Sequence, residues 1–212
     1  MKVIKSENFT NYKGGNTAVA IGAFDGLHIG HQTIIKNMLK EAKKKSLNSG
    51  VFSFEPHPLE VVAPSKAPSY LLSRRQKLNI LEKMGVDYFF EQEFTKEFSK
   101  LNFEDFVKKI LIDKLQVKSV IVGSDFEFGK NKDGNVHNLK ELEKKYNISI
   151  DAVNILKKEN KKISSTYIRK LIKNAKVDKV AEYLGRNYEI EGKVVKGEGR
   201  GRKPGIPTAN LE

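Results

Sequence analysis

The chain alternates short apolar runs with segments in which apolar side chains recur every three or four positions. The runs are rich in β-branched and aromatic residues, as buried strands are. They lie at residues 18–24, 50–54, 86–90, 117–122 and 148–153. The other segments place apolar side chains on one helical face. These helices are expected around residues 34–42, 78–84, 103–111, 166–174 and 177–184. Strands separated by helices predict an α/β fold with a parallel sheet covered on both faces.

Loops with glycine or proline follow three of the predicted strands. The first strand leads into GAFDGLHIGH at residues 22–31, the second into FEPHP at residues 54–58, and the fourth into GSDFEFG at residues 123–129. Parallel sheets bind ligands beyond the carboxyl ends of their strands. We therefore expect these three loops to meet at one edge of the sheet and to form a ligand site there.

A change of pattern marks a boundary near residues 185–187. After Tyr188, apolar residues alternate with charged ones, and a segment rich in glycine and arginine follows. We expect residues 1–185 to form one α/β domain and residues 186–212 to begin a second, β-type unit.

The composition narrows the possible chemistry and location. The 212 residues include no cysteine, which excludes a thiolate nucleophile, a disulfide framework and a Cys-ligated zinc. This composition suits a reducing compartment. The sequence has neither a signal-peptide stretch nor the roughly 20 consecutive apolar residues of a membrane span. We expect a soluble, cytoplasmic protein without a membrane partner.

The net charge of +13 indicates attraction to polyanions. Much of the excess is lysine at residues 40–45 and 157–162, which we interpret as solvated helical faces. The sequence carries no RNA-recognition, zinc-finger or heptad signature, so we expect no nucleic-acid partner. Nothing in it implies an obligate protein partner. A basic domain that binds nucleic acid or flavin without catalysis is the alternative.

His28 and His31 lie one turn apart at the expected transition from strand to helix. If the helix begins near residues 28–30, its unpaired N–H groups and its dipole favour an anion there. Gly26 and Gly30 allow a bulky group close to the backbone, and imidazole N–H groups can donate to phosphate oxygens. The pattern favours a phosphate site in which these donors stabilise charge that grows in a transition state.

Zinc binding and serine catalysis are the competing interpretations of the histidine pair. The His-x-x-His spacing lacks the i, i+4 separation of the helical zinc motif, and only His57 and His137 remain as further imidazoles. No Gly-x-Ser-x-Gly elbow is present. We therefore expect no metal site made by the protein alone.

The segment HIGH at residues 28–31 resembles the signature shared by class I aminoacyl-tRNA synthetases and small-molecule nucleotidyltransferases. That signature alone indicates only the superfamily. The whole run GAFDGLHIGH at residues 22–31, followed in order by FEPHP, GSDFEFG and ISSTYIR (residues 163–169), resembles the FMN adenylyltransferase module of the bacterial bifunctional riboflavin kinase/FAD synthetase. This resemblance covers nearly the whole chain. It implies a Rossmann-like nucleotidyltransferase fold and transfer of AMP from ATP to FMN. The products would be FAD and pyrophosphate, with Mg²⁺ on the triphosphate.

The resemblance also implies roles for individual residues. The catalytic residues, which hold the triphosphate, would be His28, His31 and Arg169. The ATP side would comprise Gly22, Phe24, Asp25, Gly30, Ser164, Ser165 and Thr166. The flavin side would comprise Phe54, Pro56, His57, Pro58, Asp125, Phe126 and Phe128. This sequence departs from the family pattern at Ser124, Glu127 and Asn131, where tyrosine, arginine and glycine are commoner.

Several of these assignments have alternatives. Phe54 belongs to a predicted buried strand, where core packing is the simpler explanation of an aromatic side chain. Ser164, Ser165 and Thr166 precede a predicted helix, where hydroxyls are ordinary N-caps, although a cap and a phosphate contact are compatible. For the reaction itself, the alternative is a related nucleotidyltransferase acting on another phosphorylated metabolite, such as phosphopantetheine or glycerol phosphate.

The segment GRGRKPGIPTAN at residues 199–210 resembles the opening of the riboflavin kinase module. This resemblance implies that Thr208 and Asn210 would contact Mg²⁺ and ATP in a complete kinase. A basic glycine-rich tail is the alternative. A kinase barrel needs more strands to close than the sequence contains, so we expect no kinase activity from this chain.

Overall fold

The computed structural model describes residues 1–196 and, as backbone, residues 210–211. Its strands are β1 (Lys2–Lys5), β2 (Thr17–Ile21), β3 (Asn48–Glu55), β4 (Tyr88–Glu93), β5 (Val117–Gly123), β6 (Glu127–Phe128), β7 (Gly134–Asn135), β8 (Ser149–Val153), β9 (Lys157–Lys158), β10 (Lys161–Lys162), β11 (Val194–Val195) and β12 (Asn210–Leu211). Six of them form one sheet in the order β1-β4-β3-β2-β5-β8, and every neighbouring pair in it is parallel. The other six form three short antiparallel ribbons.

The sheet is connected by helices whose ends follow local capping rules. They are α1 (Ile29–Lys44), α2 (Pro58–Val62), α3 (Arg74–Lys83), α4 (Phe103–Asp105), α5 (Val136–Tyr146), α6 (Ser165–Lys173) and α7 (Val177–Leu184). A π-helical segment, Phe106–Ile112, continues α4. Ser73 caps α3 by accepting from the Gln76 amide, and Asn135 caps α5 in the same way. Gly185 ends α7 in the left-handed conformation that glycine adopts most readily.

Two hydrophobic cores cover the two faces of the sheet. Residues of β2 alternate between them, because successive side chains of a strand point to opposite faces. Ala18 and Ala20 pack with Ile35, Met38 and other apolar side chains of α1 and α3 on one face. Val19 and Ile21 pack on the other face against the π-helical segment and α5. A third, smaller cluster joins α6 to α7.

The strand order places a crevice beside β2. The chain adds β3 and β4 on one side of β2 and later returns to add β5 and β8 on the other side. The connection after β2 therefore runs to one side of the sheet, and the connection after β5 runs to the other. Such a switch point opens a ligand crevice at the carboxyl ends of the two strands. The loops after β2 and β5 are the histidine loop at residues 22–28 and the loop at residues 124–126.

The α/β class, the parallel sheet and the predicted strands and helices are confirmed, with shifts of a few residues at their ends. The helical interpretation of residues 157–162 is wrong, since these lysines form the β9–β10 ribbon. The edge strand β1 was not predicted, because its four residues offer only a weak apolar pattern. In the segment after residue 185, β11 pairs with β12, and the proposed domain division stays a prediction.

Candidate active site

The two histidines stand at the start of α1. His28 is the N-cap residue, and its Nδ1 accepts a hydrogen bond from the His31 amide at 3.2 Å. The two rings stack, with centroids 3.6 Å apart. A Cβ at Gly30 would lie only 3.2 Å from the His28 ring, so a larger residue at position 30 would crowd that ring. The predicted start of the helix near residues 28–30 is confirmed.

Both imidazoles are neutral at physiological pH. Burial lowers the pKa of His28 to about 4, and the positive charges of Lys162 and Arg186 act in the same direction. Burial also lowers the pKa of His31 well below its usual value, and the neighbouring His28 adds to that effect. Because Nδ1 of neutral His28 accepts a hydrogen bond, its proton lies on Nε2. Nδ1 of His31 is buried and has no hydrogen-bond partner among the described residues.

The loop between β2 and His28 has an unusual backbone. Phe24, Gly26 and Leu27 all have positive φ angles, of 49°, 81° and 40°. For residues other than glycine this conformation costs about 1–3 kcal/mol, so the surrounding structure must hold it. Three side chains hold this backbone by donating hydrogen bonds to its carbonyl groups. Ser53 and Lys77 donate to the Ala23 carbonyl at 3.1 and 3.2 Å. Ser165 donates to the Asp25 carbonyl at 2.7 Å.

Asp25 and Arg169 join this loop to α6. The buried Asp25 carboxylate pairs with the Arg169 guanidinium and also accepts the Leu71 amide at 2.9 Å. Arg169 Nε donates to the Ser69 carbonyl at 2.7 Å. Two nitrogens of the Arg169 guanidinium therefore donate to other groups of the protein. The Arg169 side chain is 17% exposed and lies in the wall of the cavity. Its role toward phosphate stays a prediction.

The start of α6 combines capping with exposed polar groups. Ser164 is the N-cap, and its Oγ accepts from the Tyr167 amide at 3.3 Å, so the capping interpretation is confirmed for this residue. Ser165 contributes its hydroxyl to the Asp25 carbonyl instead. Thr166 is exposed and lines the cavity beside both serines.

The second predicted loop, at the end of β3, forms part of the cavity wall. Phe54 packs edge-on against Phe94, with ring centroids 5.7 Å apart, and it also lines the cavity. Its position is therefore compatible with both core packing and ligand contact. His57 caps α2 through its Nδ1, which accepts from the Leu59 amide at 3.2 Å, and burial lowers its pKa. His57 and Pro58 line the cavity, whereas Pro56 is not among the described lining residues.

The loop after β5 supplies an acidic and an aromatic side chain. Asp125 pairs with Lys162, which lies at the end of β10. Phe126 lines the cavity and stacks on Phe128, with ring centroids 5.2 Å apart and an interplanar angle of 14°. Phe128 itself is buried in the core against Phe106 and is not among the described lining residues. A direct flavin contact at Phe128 stays a prediction.

One cavity of about 1290 Å³ brings the predicted loops together at the switch point. Of the predicted residues, it is lined by Gly22, Phe24, Asp25, His28, Gly30, His31, Phe54, His57, Pro58, Asp125, Phe126, Ser164, Ser165, Thr166 and Arg169. Cationic side chains also line it, namely Lys66, Lys132, Lys162, Lys170 and Lys173. Thr208 lies outside the described residues, and Asn210 belongs to β12, of which only the backbone is described.

Sequence reasoning missed three cations around the histidine loop: Lys77, Lys162 and Arg186. Lys77 is 4% exposed, and burial lowers its pKa. One signal was available, because Lys77 lies four positions before Leu81, on the buried face of α3. Lys162 and Arg186 had no comparable signal in the sequence. Each contacts residues that are distant along the chain: Lys162 pairs with Asp125, and Arg186 donates to carbonyls of the histidine loop.

No group of three or more His, Asp or Glu side chains in the described ranges is arranged to hold a metal ion. Among the described helices, none combines the length and the apolar character needed to cross a bilayer.

Solved structures with the same architecture exist. A structure described as a macrolide-efflux protein from Streptococcus pneumoniae superposes with a TM-score of 0.84 at 28% identity, covering 99% of this chain and 68% of that one. A pantoate-beta-alanine ligase from Francisella tularensis, complexed with beta-gamma ATP and beta-alanine, gives a TM-score of 0.52 at 15% identity and covers 94% of this chain and 90% of that one. The second likeness concerns the fold alone.

Sequence comparisons identify the family. A profile described as FAD synthetase matches residues 11–167, and a riboflavin kinase profile matches residues 184–212. The bifunctional riboflavin kinase/FMN adenylyltransferase of Buchnera aphidicola subsp. Schizaphis graminum is 39% identical over 212 residues, which cover all of this chain and 68% of the relative. The protein of that name in Escherichia coli K12 is 34% identical with the same coverage. The chain therefore belongs to the FAD synthetase family.

Proposed function

We propose that this chain is an FMN adenylyltransferase, which transfers AMP from ATP to the phosphate of FMN and releases pyrophosphate. The observation that carries the proposal is the convergence of the four motif loops on one cavity, with the stacked, neutral histidine pair at the start of α1. A riboflavin-kinase reaction forms no part of this proposal.

In this reaction the FMN phosphate is the nucleophile. An oxygen of FMN forms a bond to the α-phosphorus of ATP, and the bond from that phosphorus to the oxygen bridging to the β-phosphate breaks. Pyrophosphate leaves with the electron pair, and no protein side chain forms a covalent intermediate. The protein has only to align two phosphates that repel each other and to stabilise the charge that builds up between them.

His28 and His31 are proposed to act as neutral donors to the triphosphate. Nε2–H of His28 is the donor that this ring can offer, because Nδ1 accepts the hydrogen bond of the cap. The 16-residue helix α1 adds the positive end of its dipole at the same place. Donors that are already in position when charge develops lower the barrier more than donors that must reorganise.

The remaining charges of the cavity suit two anionic substrates. The acidic lining residues Asp25, Asp125 and Glu127 pair with Arg169, Lys162 and Lys132. The lining residues Lys66, Lys170 and Lys173 then leave the described wall with an excess of positive charge. Ser164 and Thr166 offer further hydroxyls at the start of α6. Mg²⁺ is proposed to accompany the triphosphate, where it would neutralise part of the phosphate charge.

The aromatic side of the cavity is proposed to hold the flavin. Phe54 and Phe126 present rings, and His57 and Pro58 complete this wall. An isoalloxazine ring binds by stacking and by burial of apolar area, for which aromatic side chains are suited. The reaction requires neither a nucleic acid nor a protein partner, and we propose the cytoplasm, where ATP is available, as its location.

The direct test is to incubate the protein with FMN, ATP and MgCl₂ and to separate the flavins by chromatography while measuring pyrophosphate. We expect FAD and pyrophosphate in equal amounts, and none without FMN. Phosphopantetheine and glycerol phosphate, offered in place of FMN, serve as controls for acceptor choice. A folded protein that forms no FAD, or that adenylylates one of these acceptors instead, would overturn the proposal.

A further inference from the structure

Arg186 makes a set of hydrogen bonds that the proposed reaction does not explain. It is the first residue after Gly185, where α7 ends. One terminal nitrogen donates to the Gly26 carbonyl at 2.8 Å, and the other donates to the carbonyls of Leu27 at 3.1 Å and Leu184 at 3.3 Å. The guanidinium thus holds two consecutive carbonyls of the histidine loop to the end of α7.

Gln32 reinforces the same junction from α1. Its Nε2 donates to the Leu27 carbonyl at 2.9 Å and to the Leu184 carbonyl at 2.7 Å. A Cβ placed on Gly185 would lie 2.9 Å from the Ile29 side chain, so the end of α7 packs directly on the first turn of α1. The residues that carry His28 are therefore fixed by contacts with a distant part of the sequence.

The two carbonyls held by Arg186 belong to the strained part of the loop. Gly26 and Leu27 both have positive φ angles, and Leu27, having a side chain, adopts that conformation at a cost. A planar guanidinium can donate to two neighbouring carbonyls at once, which an ammonium group does less well. Leu27 precedes His28 directly, so a change in its backbone moves the donor ring.

We propose that Arg186 is a positioning residue of the adenylyl transfer: it holds the Gly26–Leu27 backbone in the conformation that places His28. This inference rests on the proposed function. Arg186 lies in the segment that the riboflavin kinase profile matches, residues 184–212, and outside the FAD synthetase match at residues 11–167. The adenylyltransferase site would then depend on a residue beyond the part of the chain that its own family profile describes.

The test compares Arg186→Ala and Arg186→Lys with the wild type, and uses Arg75→Ala as the matched control, all in the full chain. Arg75 has a side chain 76% exposed and lies outside the cavity wall. We expect Arg186→Ala to lower kcat at least about tenfold with little change in the KM for FMN, since a displacement of about 1 Å can cost on the order of 100-fold. We expect Arg186→Lys to fall between wild type and Arg186→Ala, and Arg75→Ala to match the wild type.

Two further readouts separate positioning from general stability. Guanidinium ion at millimolar concentration should restore part of the kcat of Arg186→Ala and leave the wild type and Arg75→Ala unchanged. In ¹H–¹³C spectra of the imidazole Cε1 groups, Arg186→Lys should shift the signals of His28 and His31. The exposed His137 on α5 serves as the internal reference and should not shift.

The outcomes distinguish this inference from the proposed function. If the wild type forms FAD while a folded Arg186→Ala keeps the wild-type kcat, the inference is overturned. If Arg186→Ala does not fold, unchanged His28 and His31 signals together with unchanged kcat in Arg186→Lys overturn it equally. If the wild type forms no FAD, the proposed function fails, and unchanged histidine signals in Arg186→Lys would then count against the positioning role as well.

Discussion

The ring of His31 lies against the ring of His28, with centroids 3.6 Å apart and planes inclined by 17°. Two imidazolium cations would repel each other strongly at this separation, whereas neutral rings do not. Burial keeps both rings neutral, so each offers an N–H group rather than a formal charge. The pair is therefore suited to donate hydrogen bonds to phosphate oxygens, which are strong acceptors.

The double role of His28 allows its donor function to be separated from its cap. We expect His28→Asn to lower the kcat of FAD formation by roughly 100-fold, because losing one preorganised donor costs about 3 kcal/mol. Asparagine caps helices well, so the stability of this variant should stay near that of the wild type. His28→Ala removes the cap too and should also lose about 1 kcal/mol of stability. Steady-state kinetics and urea unfolding check both; wild-type turnover in His28→Asn contradicts the donor role.

The low pKa of His28 predicts how stability depends on pH. The folded-state pKa is about 4 and the ordinary value is 6.5, so between these values the unfolded chain binds more protons than the folded one. The contribution to stability is complete above pH 6.5 and is lost as the pH falls toward 4. The shift at His31 has the same direction and the same consequence.

The measurement is the free energy of unfolding in urea at pH 7 and at pH 5, for the wild type and for His28→Asn. We expect stability to decrease at the lower pH in both proteins, and to decrease less in His28→Asn, which lacks one of the two buried imidazoles. The same decrease in both proteins would show that His28 titrates with an ordinary pKa.

Much of the fold followed from local patterns, and the order of the strands did not. The runs that became β2, β3 and β5 were predicted because buried strands need continuous apolar residues. The return of the chain to place β5 beside β2 depends on packing between distant segments, and no local pattern encodes it. The edge strand β1 was missed because only one of its four side chains is even half-buried.

The candidate site divides in the same way. The motif loops were predicted because each follows a strand, but the contacts that hold them link residues far apart in the sequence. Lys162 was interpreted as part of a solvated lysine run, and it pairs with Asp125 in the cavity wall. Arg186 was placed at a domain boundary, although its guanidinium contacts the histidine loop 159 residues away. Charge runs and domain boundaries can be recognised from neighbouring residues in the sequence. The contacts of Lys162 and Arg186 depend on which distant residues the fold brings together.

The buried pair of Asp25 and Arg169 should contribute to both stability and turnover. We expect Asp25→Asn to lower the free energy of unfolding by about 3 kcal/mol, because it leaves a largely buried guanidinium without its counter-charge. We expect Arg169→Lys to lower kcat roughly tenfold, since an ammonium loses a charge-assisted hydrogen bond of about 1.5 kcal/mol. Urea unfolding and FAD formation measure the two effects.

Exposed residues provide matched controls for this pair. Asp178→Asn, on the exposed surface of α7, is the control for Asp25→Asn. Arg75→Lys, at an exposed position of α3, is the control for Arg169→Lys. Both should behave like the wild type in unfolding and in kinetics. Equal effects at the buried and the exposed positions would reject the structural role assigned to the Asp25–Arg169 pair.

The two stacked phenylalanines after β5 should respond differently to truncation. Phe126 lines the cavity, so Phe126→Ala should raise the KM for FMN up to about tenfold, in line with about 0.5–1.5 kcal/mol for an aromatic stack. The KM for ATP and the unfolding midpoint should change little. Phe128 is 8% exposed and packs on Phe106 in the core, so Phe128→Ala should cost about 3 kcal/mol of stability or more.

Kinetics with FMN as the varied substrate, together with urea unfolding of both variants, tests this division. If Phe128 contacts flavin directly, Phe128→Leu, which keeps most of the buried volume, should raise the KM for FMN as Phe126→Ala does. If Phe128 acts only by packing behind Phe126, Phe128→Leu should leave that KM near the wild-type value. An unchanged KM for FMN in Phe126→Ala would remove the loop after β5 from the flavin side of the cavity, because Phe126 is the aromatic ring that this loop places in the cavity wall.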